Sequence, residues 1–414
     1  MTMSPPVPLH GAATTDLDSR VEAAVAAIAH GGVVVVVDDP DREDEGDLVA
    51  AAELVTPETI NFMATHGRGL ICCPVAADQL DRLRIPPMGA GDGDRFGTAF
   101  HVGVDHRDAG TGISAADRAL AIRALADPHS RPADLRQPGH VFPLAGQPDG
   151  VLRRRGHTEA SMDLARLAGL APAAVICEIA GPDGEMARLP ALRALAAEHG
   201  LPLISIADLV TYRRTHEQLV DRVAEADLPL AGGRFRVIGY RHRIDGGEHL
   251  ALVHGRPAET AGPLVRIHSE CLTGDAFGSL RCDCGPQLNL AIDLISHEPA
   301  GVVVYLRGHE GRGIGLVEKI CAYAVQDELG MDTVDANLRL GHPVDARDYG
   351  VGAQILRDLG VRRPRLLTNN PDKFRALCAY GLNPAARVPL VPPVRPENAS
   401  YVATKIARLG HLAG

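Results

Sequence analysis

GGVVVVVDDPDREDEGD, residues 31–47, carries the first decision about the fold. Five consecutive valines, 33–37, form the continuous β-branched run of a strand buried on both faces. Upstream, Val21, Val25 and Ile28 fall on one face of a helix over 18–29, which Gly31 and Gly32 terminate. Further helical patterns at 57–67, 115–126 and 158–167 predict an α/β or α+β domain. Seven of the ten residues 38–47 are carboxylates, with Arg42 alone among them. Like charges this close repel, so the loop is either a solvated acidic turn or a site for a hard divalent cation. Its place at the carboxyl end of a buried strand favours the second, because ligands gather there in α/β folds.

The chain has 414 residues, comfortable for two domains at about 100–200 residues each. Its net charge is −10 and only 3% of it is aromatic, which disfavours nucleic acid as a partner. The longest apolar run is too short to cross a bilayer, so no membrane partner is expected. No secretory pattern opens the chain, and a cytoplasmic location is expected. Eight cysteines are then thiols or metal ligands rather than a disulfide framework.

Residues 1–12 read as a loose tail. Residues 206–223, rich in polar groups, read as one long helix linking two domains, with the boundary near Arg213. The expected domains are 13–213 and 214–414, each a mixed α/β unit with a sheet packed by helices. In the second half, strand patterns cover 234–240, 249–254, 263–268 and 301–306. Helical ones cover 287–296 and 316–329.

Four more pieces of the first half carry chemistry. RRRGHTEA, 153–160, brings Arg154, Arg155, Gly156, His157 and Thr158 to a helix start, a place that favours phosphate. RQPGHVFPL sets His140 in a Pro/Gly loop. Glu178 stands among apolar residues in AAVICEIA, so it must be paired, protonated or catalytic. GTGISAADR completes the set. Together with the acidic loop these motifs, over about 18–213, resemble 3,4-dihydroxy-2-butanone 4-phosphate synthase. The resemblance implies conversion of ribulose 5-phosphate to the dihydroxybutanone phosphate plus formate, assisted by Mg²⁺ or Mn²⁺. It implies Glu43 and His157 as metal ligands, and Arg42, Glu43, Asp47, Arg154 to Thr158 and Glu178 as substrate contacts. His140 and Glu178 match essential positions. The chain departs from the family pattern at Asp92, Phe96, His101, Leu120 and Ala121, which motivates the alternative of a weak or silent synthase half.

RIHSECLTGDAFGSLRCDCGPQL, 266–288, spaces Cys271, Cys282 and Cys284 as C-x10-C-x-C. Three protein ligands make an open catalytic zinc site; a fourth, such as His268 or His309, would close it into a structural one. The other five cysteines read as buried thiols. YLRGHEGRGIGLVEK, 305–319, runs a strand into a glycine-rich turn with Arg312, suited to an anion. PVDARDYG and LLTNNPDKF add Asp345, Arg347, Thr368 and Lys373. This half, over about 223–411, resembles GTP cyclohydrolase II. The resemblance implies opening of the GTP imidazole ring, loss of C8 as formate and release of pyrophosphate, with Zn²⁺ on the three cysteines acidifying the attacking water. It implies GTP contacts at Arg266, Ile267, His268, Ser269, Glu270, Gln287, Glu310, Gly311, Arg312, Thr333, Thr368 and Lys373. It further implies that Tyr323 assists ring opening, that Asp345 accepts a proton, and that Arg347 acts as a nucleophile; a plain α-phosphate clamp is an equal alternative for Arg347. The two halves together imply a bifunctional riboflavin-precursor enzyme, assembled as a homodimer or larger homo-oligomer.

Overall fold

The computed structural model describes residues 16–89 and 96–412. The tail at 1–12 and Asp92 lie outside the described residues. Two compact units meet between Arg213 and Arg214.

The first unit holds one mixed sheet. Its strands are β1 (Val34–Val37), β2 (Gly46–Ala51), β3 (Cys72–Ala76), β4 (Val104–His106), β5 (Leu135–Gly146), β6 (Ala174–Glu178) and β7 (Leu203–Ser205), in the order β4-β5-β3-β6-β2-β1-β7. Successive side chains point to opposite faces. Val35, Val37, Leu48 and Cys177 accordingly enter one core with Ile60, Met63 and Leu125 from helices on that side. Val34, Val36, Val49 and Ile176 enter the other with Val21, Ile28, Leu164 and Leu209. The sheet is thus buried on both faces, the reason for the unbroken valine run.

β1 and β2 are antiparallel, with Val37 opposite Gly46, so the acidic loop is a tight return at the rim of the sheet. β2 pairs with β6 in a register that sets Asp47 opposite Glu178. The helix His157–Leu167 begins on the same rim.

The Pro/Gly loop expected around His140 lies instead within a strand. β5 pairs with β4 through Leu135 and Arg136, then again through Val141, with the register broken between Val104 and Asp105. Residues 137–140 are the excess at that break, a bulge that re-aims side chains. Gly139 is required there, because a Cβ would collide with the backbone of Val104 and Asp105.

The long linker helix also ends early. It runs Ile206–His216 and packs Ile206, Leu209 and Val210 into the first unit's core. At its end Arg213 is buried and donates to the Asp149 carbonyl and the Asp163 carboxylate, each at 2.7 Å. Residues 220–223 are strand, not helix.

The second unit holds β8 (Val220–Leu230), β9 (Gly233–His242), β10 (Glu248–His254), β11 (Leu264–Ser269), β12 (Gly301–Leu306), β13 (Arg365–Leu367) and β14 (Ala386–Val388). Their order is β14-β13-β11-β12-β10-β9-β8. β8 to β10 form an antiparallel meander, whereas β11 to β14 run parallel. The carboxyl ends of parallel β11, β12 and β13 stand side by side, the place where such sheets receive ligands. Cys72, Cys73 and Cys177 are buried as expected, but Cys321 and Cys378 are exposed on helix surfaces. The helix that carries Cys378 turns Leu377 into the core, whereas the one that carries Cys321 buries only Lys319 and Ala322. Among the described residues no helix is long and apolar enough to cross a membrane.

Candidate active sites

In the first unit, Asp38, Glu43 and His157 bring ligand atoms within 4.8 Å of one another. Asp38 was not singled out in the sequence, where one carboxylate of seven looks like the next. It folds the loop: its oxygens accept from the Glu43 and Glu45 amides at 3.2 and 2.9 Å and from Arg42 at 2.9 Å. Arg42 also donates to Glu43 at 2.6 Å and lies 5.4 Å from the Phe96 ring centre. His157 Nδ1 is 3.8 Å from Glu43 and 3.9 Å from Asp47, while Nε2 is buried without a partner. The two carboxylates and one imidazole of Asp38, Glu43 and His157, a mixed oxygen and nitrogen donor set, fit a divalent cation.

Burial pushes Asp47 up to about 7, helped by Glu178, Glu43 and Glu45 and opposed by His157. Burial would lower His157, but Asp47, Glu43 and Asp38 outweigh it and raise the imidazole to about 9. Burial would raise Glu43; hydrogen bonding to His157 and the Arg42 charge bring it below the usual range. Asp47 is thus poised to exchange a proton near neutral pH beside a charged imidazole. The Leu70 amide donates to Glu178 at 2.8 Å.

His157 must lose its proton to ligate a metal. With its midpoint near 9, Mg²⁺ affinity should rise with pH up to about 9, by about tenfold per unit for one proton released. Titration calorimetry in buffers of different ionisation heat counts that proton, and a pH-independent affinity would refute its release.

Not every expected residue joins this group. Arg154 is held by Glu159 at 2.6 Å, Phe96 carbonyl and Thr98. Arg155 is exposed, and Thr158 is buried with its carbonyl taken by Ser161. His140 pairs with Asp105 through both its amide and Nδ1 at 2.9 Å, rather than with Glu43 or His157.

In the second unit, the three cysteine sulfurs lie within 4.8 Å of one another, with Cys271 and Cys282 3.7 Å apart. Neither histidine closes the group: His268 Nε2 is engaged by Asp275 at 3.0 Å and His309 by Ser269 at 3.2 Å. Hydrogen bonds from Cys282 and Cys284, with Lys319 at 3.2 Å, pull the Cys271 thiol far below its ordinary range. Cys282 rises to about 11 and Cys284 also rises, because both share protons with the Cys271 thiolate. This soft three-sulfur set, already holding one thiolate at Cys271, fits zinc with one position left open.

Gly274 makes the room. A Cβ there would stand 2.7 Å from Cys282 Sγ and 3.2 Å from Cys271 Sγ. Gly274→Ala should weaken zinc about 10–100-fold, as outer-shell changes do. Zinc per chain after dialysis against a chelator measures it; unchanged retention would show that the thiols can move aside.

Beside the thiols lies a cavity of about 350 Å³. Arg266, His268, Ser269, Glu270, Gln287, Glu310, Gly311, Arg312, Thr333, Thr368, Lys373, Tyr323 and Arg347 line it. Ile267 contributes its carbonyl, which accepts from Lys373 at 2.9 Å. Asp345 stands behind the wall, bonded to Arg347 through Nε at 2.8 Å and through Nη2, and to Arg312 at 3.3 Å. Burial opposes the Asp345 charge, but Arg347 holds the carboxyl below its usual range. Asp345 in turn holds Arg347 above the usual guanidinium range despite burial. Burial with Arg266, Arg347 and Lys405 nearby pushes Lys373 well below an ordinary lysine. So many converging cations call for a polyanion. Arg281 stacks 4.4 Å from the Tyr323 ring centre and carries that ring to the cavity wall. Lys405, Tyr401 and His411, none foreseen from the sequence, also line it.

Comparisons with known proteins match both halves of the chain. The family model for 3,4-dihydroxy-2-butanone 4-phosphate synthase matches residues 22–212, and that for GTP cyclohydrolase II matches 221–389. Riboflavin biosynthesis protein RibBA of Salinispora arenicola is 59% identical over 393 residues, covering 95% of this chain and 93% of that protein. RibBA of Mycobacterium tuberculosis is 56% identical over 411 residues, covering 97% and 96%. The crystal structure of RibBX, a two-domain 3,4-dihydroxy-2-butanone 4-phosphate synthase from A. baumannii, aligns with a TM-score of 0.65 at 39% identity, covering 90% of this chain and 100% of that one. The chain belongs to the bifunctional riboflavin-biosynthesis family in which 3,4-dihydroxy-2-butanone 4-phosphate synthase, a lyase, is fused to GTP cyclohydrolase II, a hydrolase.

Proposed function

We propose that the two activities are divided between 13–213 and 214–414, each on its own metal. In the first, Glu43 and His157, with Asp38 shaping the loop, hold Mg²⁺ or Mn²⁺ against ribulose 5-phosphate. A divalent ion held there would supply the Lewis acidity that makes a substrate C–H easier to deprotonate. Asp47, buried beside His157 and opposite Glu178 in the sheet, is placed to move the proton. Glu178, opposite it in the sheet, serves as the second carboxylate. The preserved Asp38, Glu43 and His157 group supports a working synthase half rather than a silent one.

In the second, Cys271, Cys282 and Cys284 hold zinc, which supplies an acidified water and a Lewis acid. Arg266, Gln287, Arg312, Thr333, Thr368 and Lys373 receive the nucleotide. For Arg347 the charged state is favoured, because Asp345 binds it through two parallel bonds and each stabilises the other's charge. That supports a clamp on the α-phosphate over covalent attack. The chain works in the cytoplasm as a homo-oligomer.

The convergence of three clustered thiols, one of them acidified, with a cation-lined cavity carries this reading. Metal analysis with parallel assays tests it: about one zinc per chain, and formate from ribulose 5-phosphate only with Mg²⁺ or Mn²⁺. Absence of either overturns the assignment for that half.

A further inference from the structure

The helix Ala399–Leu409 lies beyond residue 389, where the cyclohydrolase family match ends, yet it forms a wall of the nucleotide cavity. Lys405 is the buried residue of that helix. Its ammonium donates to both oxygens of Asp283, at 2.9 and 3.1 Å. Asp283 stands between two of the thiols, Cys282 and Cys284, and is itself buried. Its Oδ2 accepts from Gln287 Nε2 at 2.6 Å, and Gln287 Oε1 accepts from Arg266 Nη2 at 2.7 Å. Arg266 Nη1 also donates to the Leu367 carbonyl at 2.9 Å. One turn further along, Arg408 donates to Asp332 at 2.6 Å and to Asp335 at 2.8 Å. Asp332 caps the helix that opens with Thr333. The helix therefore grips both sides of the cavity.

We propose that Lys405 is a positioning residue for the nucleotide: through Asp283 it fixes Gln287 and Arg266 in the pose that receives GTP. The proposal rests on the reading of this cavity as the GTP site. The amide of Gln287 has two ends that could exchange roles, and the chain of bonds removes the choice. Lys405 supplies only donors, so Asp283 must accept from it. Asp283 then accepts from the Gln287 NH₂, and the Gln287 oxygen is left facing Arg266. Without Lys405, Asp283 is a buried carboxylate lacking its cation, free to turn and to capture Arg266 instead.

The test uses the full-length, zinc-loaded enzyme and compares Lys405→Met, Lys405→Arg, Gln287→Ala and the Lys405→Met/Gln287→Ala pair. Lys405→Met should raise the KM for GTP roughly tenfold, with kcat within about threefold and one zinc retained per chain. Lys405→Arg, which can reach both Asp283 oxygens, should recover most of the loss. In the Gln287→Ala background the Lys405→Met change should add less than about threefold, since the group it orients is gone. An unchanged KM, full multiplication of the two single effects, or loss of zinc in Lys405→Met would each overturn the proposal. Failure of the wild type itself to open GTP would instead overturn the site reading, and the positioning role with it.

Discussion

The Cys282→Ser enzyme is expected to lose GTP ring opening by at least roughly a thousandfold while ribulose 5-phosphate turnover stays within about twofold of wild type. A serine hydroxyl fits the space but does not ionise near neutral pH and is a hard, weak ligand for zinc. The sulfur it replaces is one of three held within 4.8 Å, with no further ligand among the described residues to take its place. Without the ion, water keeps a pKa near ~15.7 instead of about 7, which removes most of the hydroxide available at pH 7. The ribulose phosphate site draws on none of these atoms. Formate release from each substrate, assayed in parallel on one preparation, reads both outcomes. Equal loss of both activities would refute independent sites; retained GTP turnover would refute the role of the thiols.

The Glu43→Gln enzyme should show the reverse, with synthase turnover down at least roughly a thousandfold and GTP ring opening intact. The amide keeps the shape of the side chain and can still accept from Arg42, now 2.6 Å away, so the loop should survive. What disappears is one negative charge beside His157. Cation affinity falls with it, and the imidazole loses one of the charges that raise it towards 9. A chemical-shift titration of His157 should move to lower pH in the variant, which separates an electrostatic effect from simple misfolding. Turnover near wild type would remove Glu43 from the metal site.

Much of this was legible because each motif is local and sits where a strand ends. Cys271, Cys282 and Cys284 lie within fourteen residues, and the Gly-rich turn follows β12 directly. The valine run betrayed a doubly buried strand. Other features left no local signal. Asp38 is one carboxylate in a crowd, distinguished only by the amides that turn towards it. Lys405 acquires meaning from Asp283, 122 residues away in sequence. The first four residues of β8, 220–223, read as helix because β8 is an edge strand, exposed along most of its length, and shows no in–out alternation. Leu219, Val220 and Val223 happen to share a helical spacing there. The bulge at 137–140 hid a strand behind Pro138 and Gly139.

The buried pair of Arg213 with Asp163 decides where the polypeptide can be cut. The synthase match ends at residue 212, one short of that arginine. A fragment stopped there would leave Asp163 with Arg166 at 3.6 Å in place of its 2.7 Å partner, and the Asp149 carbonyl without its donor. Stranding a buried charge in this way costs about 3 kcal/mol, some 10 °C of melting temperature for a unit of this size. A fragment carried to His216, the end of the helix, keeps the pair. The last arginine of the first half is therefore its lock, and dissection of the two activities has to leave it on the synthase side.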